Sequence, residues 1–278
     1  MELNRVENGE LNKGGRPPNT LLDFMRIKAW LAFIMTKLNV KTYEEIQENI
    51  LGPIPKGMSP IKYFDLDNFA QDIRWDRYLT LQHGPNKTYL SLIEQFPKAA
   101  GSSSVYKVGP YDGQENIPLW IVFEHDLDAI WNYLFEHLPE IKNLSQKGAP
   151  FFKKLELVVE LFVPNNEWAK LNFKINKPNS KNIIVVSYQK RYFQPSFELL
   201  TIAMAIYRVA LHTGESMAQV EYLIRGLLSE PYAELLEKYN IYSEFVAAFN
   251  QLEINDLIQR GEIKLAQNLL SKMTGAKV

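Results

Sequence analysis

The first strong pattern along the chain is a run of apolar residues, three or four positions apart, after Thr20. In LLDFMRIKAWLAFIMTKLN they predict an amphipathic helix over 20–38 with a wide buried face. A shorter helix is predicted over 42–49, because Thr42 and Glu45 have the spacing of a capping box. Helical periodicity resumes in NFAQDIRWDRYL and again in TYLSLIEQF, beyond the turn HGPN.

The pattern changes twice in the middle of the chain. Gly, Ser and Pro are frequent in AAGSSSVYKVGPYDGQ, so residues 99–114 are predicted to form an exposed loop. A helix is predicted next, over 126–138. Between 153 and 192, short segments rich in Val, Ile and Phe predict strands, although the first, KLELVVELFV, fits a helix equally well.

The remaining chain is predicted to be helical. FELLTIAMAIYRVALHTG is apolar on nearly every side and is expected at the centre of a C-terminal core. Amphipathic segments joined by short turns follow it. The candidate N-caps are Ser196, Ser216 and Ser243, and the candidate helix ends or tolerated interior glycines are Gly214, Gly226 and Gly261.

These elements predict a mainly α fold in two parts. The 278 residues, 46% of them apolar, suffice for two domains of ordinary size. We expect a flexible arm over 1–19, a helical domain over 20–100, a linker over 101–116 and a mostly helical domain over 117–278. A small β-sheet over 153–192 would make the second domain α+β.

Composition excludes several classes of protein. The chain has no cysteine, which excludes disulfides and thiolate metal sites. The apolar run LLTIAMAIYRVAL is shorter than the roughly twenty residues that cross a bilayer, and it includes Arg208. No secretory signal precedes the first predicted helix, so we expect a cytoplasmic protein without membrane contact.

Catalytic and metal-binding patterns are scarce. The four histidines are scattered, and no nucleophile elbow, phosphate loop or dinucleotide fingerprint is present. The densest group of candidate ligands, EHDLD at 124–128, fits either a divalent cation site or a helix start capped by Asp126. The sequence therefore predicts a protein that is not an enzyme and needs no metal or cofactor.

The charge of the chain gives limited support for nucleic-acid binding, because the net charge is −1 and not strongly positive. Only residues 151–191 are clearly basic, with eight Lys/Arg against three Asp/Glu, and they fit either single-strand binding or a sheet with one wet face. KGGRPP, around Arg16, is similar to the Gly-Arg-Pro core of an AT-hook, which lies in narrow A·T minor grooves. A polar tail that ends before a helix is the alternative for this segment.

The order of helices over 20–97, in which the third ends with WDRYLTLQHGP and a fourth follows over 88–96, resembles the Cro/repressor-like helix-turn-helix proteins. The resemblance rests on Trp75, Arg77, Tyr78, Gly84 and Pro85, the aromatic, basic, Gly and Pro residues that follow the recognition helix in that family. It implies that the helix NFAQDIRWDRY enters the major groove. The chain departs from the family by a long second connection and by three aspartates near that helix.

The resemblance predicts a DNA-binding regulator without enzymatic activity, whose C-terminal domain mediates assembly with a protein partner or a second copy. The alternative is an interaction or effector subunit of a bacterial multi-protein system, of the defence or toxin–antitoxin type, that binds a protein or protein–RNA partner. A structural alternative places the aromatics in a core, the Gly-Pro turn in a packing role and the arginines at the surface. The predicted contacts to double-stranded DNA are Arg16, Asn68, Gln71, Arg74, Arg77 and Lys87.

Overall fold

The protein was analysed as a computed structural model. It describes residues 19–42, 45–46, 49, 84–85, 87–124, 126–162, 195–215, 217–229 and 232–274. Within these ranges the chain forms α-helices and short 3-10 helices, and its only β pairing is an isolated antiparallel bridge between Tyr111 and Asn116. The predicted mainly α fold class is therefore confirmed for the described residues.

The described α-helices are numbered here in chain order. The first six are α1 (Leu21–Leu38), α2 (Lys87–Glu94), α3 (Ser102–Lys107), α4 (Leu127–His137), α5 (Pro139–Gln146) and α6 (Phe151–Glu160). The next five are α7 (Phe197–Thr213), α8 (Met217–Ser229), α9 (Ala233–Glu237), α10 (Tyr242–Gln259) and α11 (Ile263–Thr274). The 3-10 helices are Pro97–Ala99 and Leu119–Phe123.

Helix α1 begins and ends as the sequence predicts. The Thr20 hydroxyl accepts a hydrogen bond from the Asp23 amide at 3.2 Å, and the Asp23 carboxylate accepts one from the Thr20 amide at 2.9 Å. Asn39 then ends the helix in the left-handed conformation, at φ 56°. The second predicted capping box also forms, since the Glu45 amide donates to the Thr42 hydroxyl and the Thr42 amide to the Glu45 carboxylate, both at 3.3 Å.

The buried face of α1 is divided between two hydrophobic clusters. Met25, Ala29 and Phe33 belong to a large cluster, here called the main core, which is centred on α7 and includes residues from α3 to α10. The other buried residues of α1 belong to a smaller group, here called the N-terminal cluster. Its members are Ile27, Trp30, Leu31, Ile34, Leu38, Ile46, Tyr89, Leu90, Ile93 and Ala99.

The predicted loop over 99–114 is wrong for residues 102–107, which form α3. The Glu94 carboxylate accepts hydrogen bonds from the backbone amides of Gly101 (2.6 Å) and Ser103 (2.8 Å), and so satisfies the start of this short helix. Val105 is buried, and its carbonyl accepts a hydrogen bond from Trp120 Nε1 at 2.9 Å. Helix α3 packs directly on α1, while the division into two domains stays a prediction.

Helix α7 is central, as the nearly uniform apolar pattern predicts. The Ser196 hydroxyl accepts from the Leu199 amide at 3.2 Å, and Gly214 ends the helix at φ 70°. Arg208 lies 9% exposed among the apolar residues and donates to the Val122 and Glu124 carbonyls at 2.6 and 2.9 Å. Burial lowers the pKa of this guanidinium. Arg208 therefore ties α7 to the 3-10 helix Leu119–Phe123.

Two other sequence predictions in the C-terminal half are settled in part. The segment KKLELVVE is helical rather than extended, because it lies in α6 with Leu155 and Val158 buried against the main core. Residues 163–194 lie outside the described part of the chain, so the sheet stays a prediction there. Ser243 is not an N-cap, since α10 begins at Tyr242 after Ile241, and Ser216 is outside the described residues.

Candidate nucleic-acid interface

The predicted DNA contacts fall almost entirely outside the described residues. This holds for Arg16, Asn68, Gln71, Arg74 and Arg77. Lys87 is described, and it is exposed at the first position of α2. The site is therefore built here from the elements that hold Lys87 and from the charged side chains of the N-terminal elements and of α3.

Helix α2 is fixed by its buried face. Tyr89, Leu90 and Ile93 pack into the N-terminal cluster, and the ring of Tyr89 meets that of Trp30 edge-on, with centroids 6.2 Å apart. The edge-on contact of the two rings favours one orientation of the side chains, in addition to the stabilisation from buried apolar area. Because the apolar residues of α2 face α1, Lys87 is left at the surface.

Gly84 and Pro85, for which the sequence predicts a structural role, are both buried. A Cβ atom added to Gly84 would lie 2.7 Å from the Tyr106 hydroxyl and 3.7 Å from the Ile27 side chain. A larger residue would therefore have to displace Tyr106. The close approach connects the turn to α1 and α3, which carry these two side chains.

Five lysines are exposed on the N-terminal elements and on α3. In the described part of the chain none of them forms an ion pair with a carboxylate, whereas Asp23, Glu45 and Glu94 accept hydrogen bonds from backbone amides. Positive charge is thus available locally although the whole chain is nearly neutral. The five lysines are Lys37, Lys41, Lys87, Lys98 and Lys107.

Two residues of the acidic segment at 124–128 make contacts within the fold. Glu124 forms an ion pair with Arg26 of α1. The Asp126 carboxylate accepts a hydrogen bond from the Ala129 amide at 3.0 Å, so the helix-cap interpretation of Asp126 is confirmed. No group of three metal-ligating side chains occurs among the residues that the structure describes, which do not include His125.

A second polar group, which the sequence did not single out, joins α8 to α10. Arg225 donates from Nε to Glu221 at 2.7 Å and from Nη1 to Asn250 Oδ1 at 3.3 Å, and its Nη2 pairs with Glu253. The guanidinium also lies 5.2 Å from the centroid of the Phe249 ring. Glu221, Arg225, Asn250 and Glu253 are called the charged cluster below.

The electrostatics of the charged cluster are unusual for a surface ion pair. The Glu253 side chain is only 14% exposed. Burial, together with the neighbouring Glu221 carboxylate, raises the pKa of Glu253 to about 7. The spacing of Glu221 and Arg225 predicts an ordinary contact on one helix, but Glu253 is 28 residues from Arg225 and no local pattern connects them.

Comparison with known proteins adds no relative to this picture. No family model, curated protein or solved structure matches the chain. No helix among the described residues is long and apolar enough to cross a membrane.

Proposed function

We propose that the chain is a non-enzymatic DNA-binding regulatory protein. Its N-terminal helices would contact double-stranded DNA and its C-terminal helices would mediate assembly. The observation that carries the proposal is the N-terminal cluster, in which α1, the capped turn containing Ile46 and helix α2 share one small core. A small helical unit with this order of elements is what the helix-turn-helix resemblance implies.

The cluster also anchors the ends of the segment that would bind DNA. Ile46 and Tyr89 are both buried in it, and Gly84 lies against Ile27. The candidate contacts Arg74 and Arg77 belong to the sequence between these anchored points. A base-reading segment needs such support, because phosphate contacts fix its register on the duplex.

The exposed lysines of the N-terminal elements and of α3 also support the proposal. Lys87 and the other four exposed lysines have no carboxylate partner within the described ranges. Lysines can supply the sequence-independent phosphate contacts that dominate affinity for DNA. Since the chain as a whole carries a net charge of −1, a broad electrostatic footprint is not expected, and the proposed contact surface is a local one.

The proposal is tested by charge reversal. Fluorescence anisotropy with a labelled duplex at low salt measures affinity for the wild type and for the variant Arg74→Glu/Arg77→Glu. We expect at least a hundredfold loss, because two phosphate or base contacts become repulsive, each normally contributing about 1–3 kcal/mol.

The matched control is Lys142→Glu/Lys264→Glu, which makes the same charge change at exposed positions on α5 and α11. It should bind duplex nearly as the wild type does. Equal weakening in both double variants would reduce the interaction to non-specific charge. Absence of duplex binding by the wild type at low salt would refute the proposal.

A second candidate function, the interaction or effector subunit of a multi-protein system, has one observation in its favour. Helix α11 packs on α10, and four of the large apolar side chains of these two helices are exposed: Ile258, Ile263, Leu265 and Leu270. Exposed apolar side chains are a feature of protein contact surfaces. Light scattering over a range of concentrations should give a mass above that of the monomer, and Ile263→Glu/Leu265→Glu should lower it. A monomer at all concentrations would leave no support for self-assembly.

A further inference from the structure

Helices α8 and α10 both bury apolar residues in the main core, and polar side chains connect them as well. Arg225 of α8 reaches Asn250, Glu253 and the face of Phe249 on α10. Among the described residues, the Tyr242 hydroxyl also donates a hydrogen bond to the Leu228 carbonyl, at 2.9 Å. The charged cluster therefore contributes polar contacts between these two helices.

The two glutamates of the charged cluster approach each other as well as Arg225. Both carboxyl groups pair with the single guanidinium of Arg225, so they lie close to each other. Two ionised carboxylates in this arrangement repel each other, and a proton on Glu253 removes that repulsion. With that proton bound, the net charge of Glu221, Glu253 and Arg225 together is zero. Without it, their net charge is −1.

A third titratable group, the phenol of Tyr207, lies near Glu221 and Glu253. Tyr207 of α7 is fully buried, and its hydroxyl has no hydrogen-bond partner among the described residues. Its ring packs on Phe249 with centroids 4.8 Å apart. Burial, with smaller contributions from Glu253 and Glu221, raises the pKa of Tyr207, so the phenol stays neutral and does not compensate a change of charge in the pair.

The other charged groups near α10 are occupied elsewhere. Lys28 of α1 pairs with Glu244 at 2.6 Å, and Arg260 pairs with Asp256 at 2.6 Å and with Glu262, just before α11, at 3.0 Å. Glu234 and Glu237 of α9 are exposed to solvent. Within the described residues, Arg225 is the cation that faces both carboxyl groups of the pair.

We infer that Glu221 and Glu253, bridged by Arg225, form a proton-dependent contact that holds α8 against α10. The contact is closed while Glu253 holds a proton. When the proton is lost, two carboxylates face each other beside a single guanidinium, and their repulsion weakens the contact.

The direction of the pH effect follows from proton binding. The pKa of Glu253 in the folded protein, about 7, is higher than its ordinary value of 4.5. The folded state therefore holds the proton more tightly than the unfolded state, and the stabilisation is complete below pH 4.5 and lost as the pH rises through 7. Within that window the unfolding equilibrium constant rises by up to about tenfold per pH unit.

The test compares the wild type with Glu253→Gln, which keeps the size of the side chain and a hydrogen-bond donor without a titrating proton. Chemical denaturation from pH 5 to pH 8 gives the unfolding constant of each protein, and hydrogen exchange reports the opening of α8 and α10 separately. Glu221→Gln serves as a second variant in case the first does not fold. Glu140→Gln, at an exposed position on α5, is the matched control.

We expect the unfolding constant of the wild type and of Glu140→Gln to rise between pH 5 and pH 8. This rise should be at least tenfold smaller in Glu253→Gln or Glu221→Gln. Exchange of α8 and α10 amides, corrected for its intrinsic pH dependence, should accelerate as the pH rises from 5 through 7 in the wild type and in Glu140→Gln, but not in Glu253→Gln or Glu221→Gln. Histidines titrate in the same range, but they are present in all four proteins and cancel in the comparison. Identical pH slopes in all four proteins, or a carbon-13 titration of Glu253 with a midpoint near its ordinary value, would overturn the inference.

Discussion

The N-terminal cluster and the main core both bury apolar side chains of several helices, but they differ in size. The main core surrounds α7, of which residues 200–210 are all buried, and it draws on helices from most of the described chain. The N-terminal cluster has ten buried members and relies on one face of α1 for half of them. A small core of this kind depends for its stability on the larger core beside it. Because α1 contributes side chains to both, we expect it to couple the stability of one to that of the other.

The largest expected effects come from deleting aromatics in either cluster. Phe245→Ala, in the main core, should lower the free energy of unfolding by about 3–5 kcal/mol, because the ring is fully buried against Phe123. Trp30→Ala should cost a similar amount in the N-terminal cluster. Urea denaturation followed by tryptophan fluorescence and by circular dichroism should give one common transition for the wild type. Two separate transitions would mean that α1 does not couple the clusters.

The next effect tests the buried charge of the main core. Arg208→Met should cost about 2–3 kcal/mol, because the Val122 and Glu124 carbonyls lose their charged donor while most of the apolar stem is retained. Urea denaturation gives the value. A neutral or stabilising result would mean that removing the desolvated guanidinium outweighs the lost hydrogen bonds.

A smaller effect belongs to the N-terminal side. Gly84→Ala should cost about 1–2 kcal/mol, because the new Cβ would stand 2.7 Å from the Tyr106 hydroxyl. In the background Tyr106→Phe the hydroxyl is gone, and the same substitution should cost much less. A double-mutant cycle without coupling between the two positions would contradict the close approach of Tyr106 to Gly84.

The smallest effect concerns the end of α1. Asn39 has a φ of 56°, a left-handed conformation that glycine adopts at no steric cost. Asn39→Gly should therefore raise the melting temperature slightly, by a stabilisation of about 0.5 kcal/mol. A clear drop in the melting temperature would show that the Asn39 side chain matters more than its backbone.

The sequence predictions succeed where the interactions that fix the structure join residues close together in the sequence, and they fail where those residues are far apart. The helix starts at Thr20, Asp126 and Ser196 were predictable, because each depends on a hydrogen bond between residues three positions apart. Helix α3 was missed because the carboxylate that caps it, Glu94, is seven residues before Gly101. Its small residues suggested a loop, whereas two of its serines are buried.

Contacts over longer range were harder still to foresee. The segment at 153–160 has a pattern that fits strand and helix alike, and packing of Leu155 and Val158 against the main core favours the helix. Nothing in the local sequence connects Glu253 with Arg225, or Arg208 with the carbonyl of Val122, 86 residues away. Of the proposed DNA contacts only Lys87 is described, and its exposure agrees with the proposal without testing it.

The most direct test of the proposed function is the salt dependence of duplex binding. The logarithm of the binding constant, plotted against the logarithm of salt concentration, has a slope of about −0.9 for each phosphate neutralised. We predict a steep negative slope for the wild type and a slope smaller in magnitude by about 1 for Lys87→Glu. Affinity that does not change with salt, or a slope that Lys87→Glu leaves unaltered, would contradict the account.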